Sequence, residues 1–290
     1  MKTKHVIFFA MFISLTSMFA FTSCKSEGVE LTDDSVVATS SDEAQMAKMS
    51  DEITAETDIY ISGLESNGYL ASSQVKGLEV NGLSTHPTVT VDKPDSTRFP
   101  KVITIDFGTT GTINQRGDTI KGKLIVTITG KMFVTNSTRS IQFDNFSINE
   151  KAIAGTKSVT YKGLNDGKNP YWTISADLSF SFADGKTKSW KSDRIRERIS
   201  INNTPKIAWD DIYSIKGTTT GVNIKGNSYS IVIDNNNPLI LMGGFPYFVK
   251  GSATTTIQSK VAVIDYGDGT KDNKATVTID GVTKEITLRK

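Results

Sequence analysis

A single cysteine, Cys24, occurs in 290 residues. The chain can therefore close no disulfide of its own and build no thiolate cluster around a metal. Histidine is almost as scarce, with His5 near the start and His86 the only other. A hydrolase triad needs a histidine base, oriented by an acid, beside an exposed nucleophile, and nothing around Ser84-Thr85-His86 resembles a nucleophile elbow. Zinc draws several ligands from His and Cys, which one histidine cannot supply, so His86 reads as a surface-loop residue. No uninterrupted apolar stretch reaches the roughly 20 residues that a membrane-spanning helix needs. A body of this length is large enough to be held by its hydrophobic core without disulfides.

What the first residues do contain is an export signal. Lys2 and Lys4 precede an apolar run from Val6 to Phe21, broken only by Ser14, Thr16 and Ser17, which is signal-peptide length. The run ends in Phe21-Thr22-Ser23-Cys24. This resembles the lipobox read by lipoprotein signal peptidase, in the relaxed form frequent in Bacteroidota. The expectation is a signal peptide over 1–23 and a diacylglyceryl, palmitate-bearing Cys24 as the first mature residue. Two or more acyl chains hold a protein firmly on a bilayer, so the membrane is the expected partner through this anchor. Lys25 gives no reason for inner-membrane retention, and the outer membrane is the expected location, with its periplasmic and surface faces both open. An exported chain of mild charge without a stacking motif is not expected to bind nucleic acid, and no cofactor motif occurs.

Charge is balanced overall, 33 basic against 31 acidic residues, but not evenly spread. Residues 25–58 hold ten acids and two lysines, and the rest of the mature chain is correspondingly basic. Such a leader is either a solvated tether or a weak intramolecular clasp on the basic body, the tether being the plainer reading. Residues 24–40 are polar, small and aperiodic, the texture of a flexible linker. Within 41–62, Ser41 can cap a helix with Asp42 and Glu43 in its first turn. Met46, Met49, Ile53 and Tyr60 fall near one face, which predicts one amphipathic helix around 42–58 docked on the body.

From residue 63 to 290 short runs rich in Val, Ile, Thr, Phe and Tyr alternate with Gly, Asn, Asp and Lys turns, which predicts an all-β antiparallel domain, a sandwich or a strongly curled sheet. In Trp172–Phe182 the even-numbered residues are apolar and the odd-numbered ones polar, so one face is buried and one is wet. Residues 183–186 then supply a hairpin turn. In strand 141–148 the apolar phase changes between Phe143 and Phe146, which predicts a bulge near Asp144-Asn145. Lys101–Gly108 and Lys260–Gly267 share the frame K-V-x-x-I-D-aromatic-G, either a duplicated β unit or two strands entering similar turns.

The segments 105–111 (IDFGTTG), 121–130 (KGKLIVTITG), 143–146 (FDNF) and 155–157 (GTK) occur in that order. They are followed by 190–196 (WKSDRIR), 209–217 (WDDIYSIKG) and 264–269 (IDYGDG). Together they resemble a family of uncharacterised Bacteroidota lipoproteins, over most of residues 100–290. The resemblance implies location and class and carries no activity. Relatives often have cysteines in the segment matching Gly243–Pro246 and where Lys271 stands; both are absent here, as if a disulfide had been lost as a pair.

Three constellations could carry chemistry. Asp265, Asp268 and Asp272, with Asn273, make an oxygen-rich loop of the kind calcium favours, but Lys271 sits among them and the same residues suit any tight turn. Paired carboxylates raise glycoside hydrolysis; Asp210 and Asp211 are adjacent and would face opposite ways on a strand, and Asp177 lies on a polar strand face. In an extended 190–199, Trp190, Ser192, Arg194, Arg196 and Arg198 share one face. Guanidinium forks beside a tryptophan suit an anionic glycan or a lipid headgroup, against the plainer reading of a ladder with acids on a neighbouring strand. The reading is a non-enzymatic envelope lipoprotein with a binding (glycan, lipid or protein) or structural role; the alternative is a polysaccharide-acting hydrolase using paired aspartates.

Overall fold

The computed structural model describes residues 32–68, 70, 74–75, 87–92, 98–182, 185–200 and 211–289. The signal segment with Cys24, His86 and Asp210 lie outside the described residues. Thr32–Lys290 forms one compact unit: a single helix followed by an antiparallel sheet.

Helix α1 spans Asp33–Ser66. Thr32 stands at its N-cap with extended backbone, its hydroxyl accepting from Ser35 N at 3.3 Å. Asp33 and Asp34 occupy the first turn, where the helix dipole favours anions. At the far end Asn67 N donates to Gly63 O, and Gly68 adopts φ +71°, which only glycine takes readily. The helix is thus longer than the expected 42–58, and residues 33–40, expected to be tether, are its first turns. Thr32 caps it well before Ser41 does, and Val36, Thr39 and Ser40 are already buried. The expected amphipathic character is also corrected. Every residue from Glu43 to Asp58 is buried, whatever its polarity, so the helix has no wet face there.

The strands in chain order are β1 Gln74–Val75, β2 Thr88–Val91, β3 Lys101–Asp106, β4 Thr112–Ile113, β5 Thr119–Ile128, β6 Thr138–Ile148, β7 Lys151–Leu164 and β8 Pro170–Ser181. They continue with β9 Thr187–Ser200, β10 Ile212–Val222, β11 Ser228–Ile233, β12 Leu239–Met242, β13 Phe248–Ile257, β14 Lys260–Asp268, β15 Lys274–Ile279 and β16 Val282–Thr287. Neighbours in sequence are neighbours in the sheet: it runs from β1 to β16 as a meander, with β4 added beside β5 and β12 bridging β10 and β13. The all-β reading holds, as one curled sheet with a helix on its inner side.

Period-two patterning fixes which face turns in. In β8 the alternation read from sequence is what the strand shows, with Trp172, Ile174, Ala176, Leu178 and Phe180 buried. Curling needs irregularities. The pairing of β5 with β6 shifts register between Lys121 and Lys123, opposite Asn145 at φ +49°, so the expected bulge is present. A Cβ on Gly122 would lie 2.2 Å from Asn145 O, which is why glycine stands there. The two similar frames fall on β3 and β14, each third from an edge of the sheet. In both, the aspartate turns back on the glycine: Gly108 N donates to Asp106 at 2.9 Å and Gly267 N to Asp265 at 2.8 Å.

Candidate functional site

The residues that sequence reading grouped as a binding face do share a face, and it is the inner one. In β9, Trp190, Arg194 and Arg196 are 1%, 6% and 3% exposed, while Ile195 and Ile199 on the opposite face are 45% and 42% exposed. Beyond Trp190 the isoleucines point outward and the guanidinium groups inward, the reverse of an ordinary strand. An exposed ligand face on Trp190, Arg194, Arg196 and Arg198 is therefore not what the structure contains.

The inward cations meet α1. Arg194 donates to Glu43 at 3.2 Å, and its other terminal nitrogen lies 4.0 Å from Asp51. Arg196 lies 3.6 Å from Asp58, which also pairs with Arg139 of β6. Arg116, on the turn before β5, pairs with Glu52, and Lys188 of β9 reaches Asp42 at 2.5 Å. Lys157 of β7 donates to the backbone oxygen and hydroxyl of Ser50, both at 2.6 Å. At the helix start, Lys260 and Lys284 hold Asp33 and Asp34 at 2.6 Å each. From Asp33 to Asp58 the acidic segment is a clasp on the basic sheet, which corrects the tether reading for residues 33–40; residues 24–31 lie outside the described residues. The acids opposite the β9 arginines come from the helix, with one exception: Arg198 donates to Asp211, beside β10, at 3.2 Å.

Aromatic rings fill the space between the charges. Trp190 Nε1 donates to Glu43 at 2.7 Å, and the Tyr229 hydroxyl approaches the same oxygen at 3.4 Å. The Arg196 guanidinium sits 3.6 Å over the Tyr213 ring, a cation–π geometry. Tyr60 of the helix meets Phe107 edge-on, with centroids 6.1 Å apart.

Burial among like and unlike charges moves Glu43, Glu56 and Lys157 toward neutrality. Burial pushes the Glu43 carboxyl up to about 7 against the pull of Arg194. Burial, with the negative charge of Glu52 beside it, pushes Glu56 up to about 8. Burial lowers Lys157 to about 7, only partly offset by Asp51. Each shift reflects the cost of an ion removed from water.

The other candidates stay apart. Asp265, Asp268 and Asp272 each accept from a nearby backbone N–H, those of Gly267, Thr270 and Lys274 respectively, and so cap their own turns. They line an open depression of about 670 Å³. Among the described residues no group of three or more His, Cys, Asp or Glu is arranged to hold a metal. Asp177 is on the outer face, paired with Lys191 at 3.2 Å. Asp211 is buried and occupied by Arg198 and Tyr213.

Sequence reading missed Arg116, Arg139, Lys157 and Lys188 as members of this site. Its one signal was the uneven charge of leader and body, which names the partners collectively and not one by one. No helix among the described residues is long and apolar enough to cross a membrane. Comparison with family models, curated proteins and solved structures finds no match for this chain.

Proposed function

We propose that this protein is a cell-envelope lipoprotein, held on the outer membrane through acylated Cys24, with a non-enzymatic binding or structural role. The observation that carries the reading is the position of the chain's sole cysteine directly after an apolar leader of signal length. The resemblance to Bacteroidota lipoproteins supports the same location. The absence of an inner-membrane retention signal at Lys25 favours the outer membrane.

The geometry bears on the role. The polar interior of the sheet is given over to holding α1, whose amino-terminal end follows Cys24 closely in sequence. Pull on the anchor is thereby transmitted to a helix gripped along its length by ion pairs from several strands. That suits a protein that must stay attached while its body holds a partner. Asp177 and Asp211, two of the aspartates a glycosidase reading would draw on, face away from one another's chemistry, one exposed and one buried in an ion pair.

The test is radiolabelled palmitate incorporation with fractionation of the native protein and its Cys24→Ala form. The native protein should take label and sediment with outer membranes. The variant should lose label and keep its leader; an unlabelled native protein overturns the reading. Protease shaving of intact cells then assigns the face.

A further inference from the structure

We infer that the inner face of the sheet is a receptor groove for an acidic helix, and that it exchanges its own α1 for the α1 of a second copy of this chain, giving helix-swapped dimers. The inference does not depend on lipid attachment.

The sheet is complete without the helix. Its strand pairings run unbroken from β1 to β16, and α1 contributes no rung to them. Most of its polar grip is side chain on side chain. The helix can therefore leave without any strand losing its partner. Only residues 67–87 connect it to β2, a contour of roughly 70 Å, against a helix about 51 Å long. Among the described residues of that connection, Gln74 and Val75 pair with β2.

An empty groove, however, is a costly state. Arg116, Arg139, Arg194 and Arg196 would each lose a carboxylate while remaining among low-dielectric walls, and breaking a buried pair on one side is strongly unfavourable. The apolar inner side chains, Ile103, Ile105, Phe146 and Trp190 among them, would lose their cover. The groove is thus filled at nearly all times, and what varies is the source of the helix.

The pattern it demands is narrow. An occupant must offer carboxylates at the places of Asp42-Glu43, Asp51-Glu52 and Asp58. It must also place a cation where Lys48 meets the buried Asp118 at 2.6 Å. A second copy of this chain brings that pattern by construction. Every contact of the swapped form is one already present in the unswapped form, so the two differ chiefly in the connecting segment and in concentration.

The experiment uses the full chain with Cys24→Ser, in detergent, carrying two different tags. One preparation has Ser40→Cys and the other Thr255→Cys, positions whose hydroxyls lie 3.3 Å apart inside the groove. Mixed and oxidised, they should give a covalent dimer bearing both tags, in a fraction that rises with protein concentration. The chain carrying both cysteines should close the bridge within itself when dilute. If that internal bridge forms while the mixture gives no two-tag dimer at any concentration, exchange does not occur. Should the first pair fail to close, Thr39→Cys with Asn223→Cys repeats the test, their side chains being 3.0 Å apart. Native mass spectrometry of differently labelled chains with no introduced cysteine must show mixed dimers; monomer alone at every concentration overturns the inference.

Discussion

Lys48 Nζ lies 2.6 Å from Asp118 Oδ2, and the two side chains are 4% and 0% exposed, with the cation on the helix and the anion on the turn that leads into β5. This reverses the polarity of the other described pairs between α1 and the sheet, and so fixes where along the groove the helix stops. Asp118 is further held by Asn149, which donates to its second oxygen at 2.6 Å. Lys48→Met leaves that carboxylate buried without its cation. The expected loss is about 3–5 kcal/mol, or roughly 6–20 °C in Tm, by calorimetry. Lys48→Met with Asp118→Asn should recover much of it, and a double variant as unstable as the single one contradicts this account.

Glu56→Gln tests the crowding of acids in the middle of α1. The folded-state pKa is raised, to about 8, by burial and by Glu52. The stability tied to this group is therefore fully present below the ordinary carboxyl value and is lost as pH rises through the folded one. The glutamine form should match the native protein near pH 4.5 and exceed it at pH 8 and above, by a few kcal/mol in order of magnitude. Denaturant melts across that range measure the gap; a gap that does not change with pH removes Glu56 as its cause.

Lys157 has the opposite slope. Its folded-state pKa is depressed by burial to about 7, so the unfolded chain binds more protons between there and the ordinary lysine value of about 10.5. Relative to Lys157→Met, the native protein should gain stability as pH rises through that window and hold a constant offset below it. Parallel Tm curves from neutral to alkaline pH would show that Lys157 does not lose its proton on folding.

Gly217 of β10 has φ +130°, and a Cβ there would come within 2.2 Å of Asp193 O on β9. Gly217→Ala combines a forbidden backbone angle with a clash, expected to cost at least about 2 kcal/mol. Because Asp193 and Arg194 form the colliding backbone, the damage should reach the Arg194–Glu43 pair. Faster amide exchange at Glu43 in α1 is the readout, and exchange raised in β9 and β10 alone would limit the effect to the sheet.

Strand content was legible because the inner face of strands such as β8 is apolar, and period two then reports burial directly. The bulge at Asn145 was legible for the same reason: a phase slip in the apolar residues has few other causes. The helix ends and the site were not. In β9 the buried face carries Arg194 and Arg196 while Ile195 is exposed, so the usual link between polarity and exposure is inverted. In α1 the residues from Glu43 to Asp58 are buried on every side, so the stripe of Met46, Met49 and Ile53 marked a helix but could not show that its polar side is buried as well. Hydrophobic pattern marks burial only where the wall opposite is also apolar. Here the walls are charged, and each half of the site looks solvated until its counterpart is found elsewhere in the chain.

The order of the meander has a consequence for how the molecule is made. Strand rungs join segments adjacent in sequence, whereas α1 closes contacts as distant as Asp34 with Lys284, 250 residues apart. Helix α1 emerges before every strand it packs against, and its most distant counter-ions emerge some 250 residues later. A greasy segment kept waiting that long would invite aggregation; one studded with carboxylates can wait in water. The acidity of residues 33–58 thus serves the nascent chain before it serves the finished one, keeping the helix dispersed until the strands that receive it have been made.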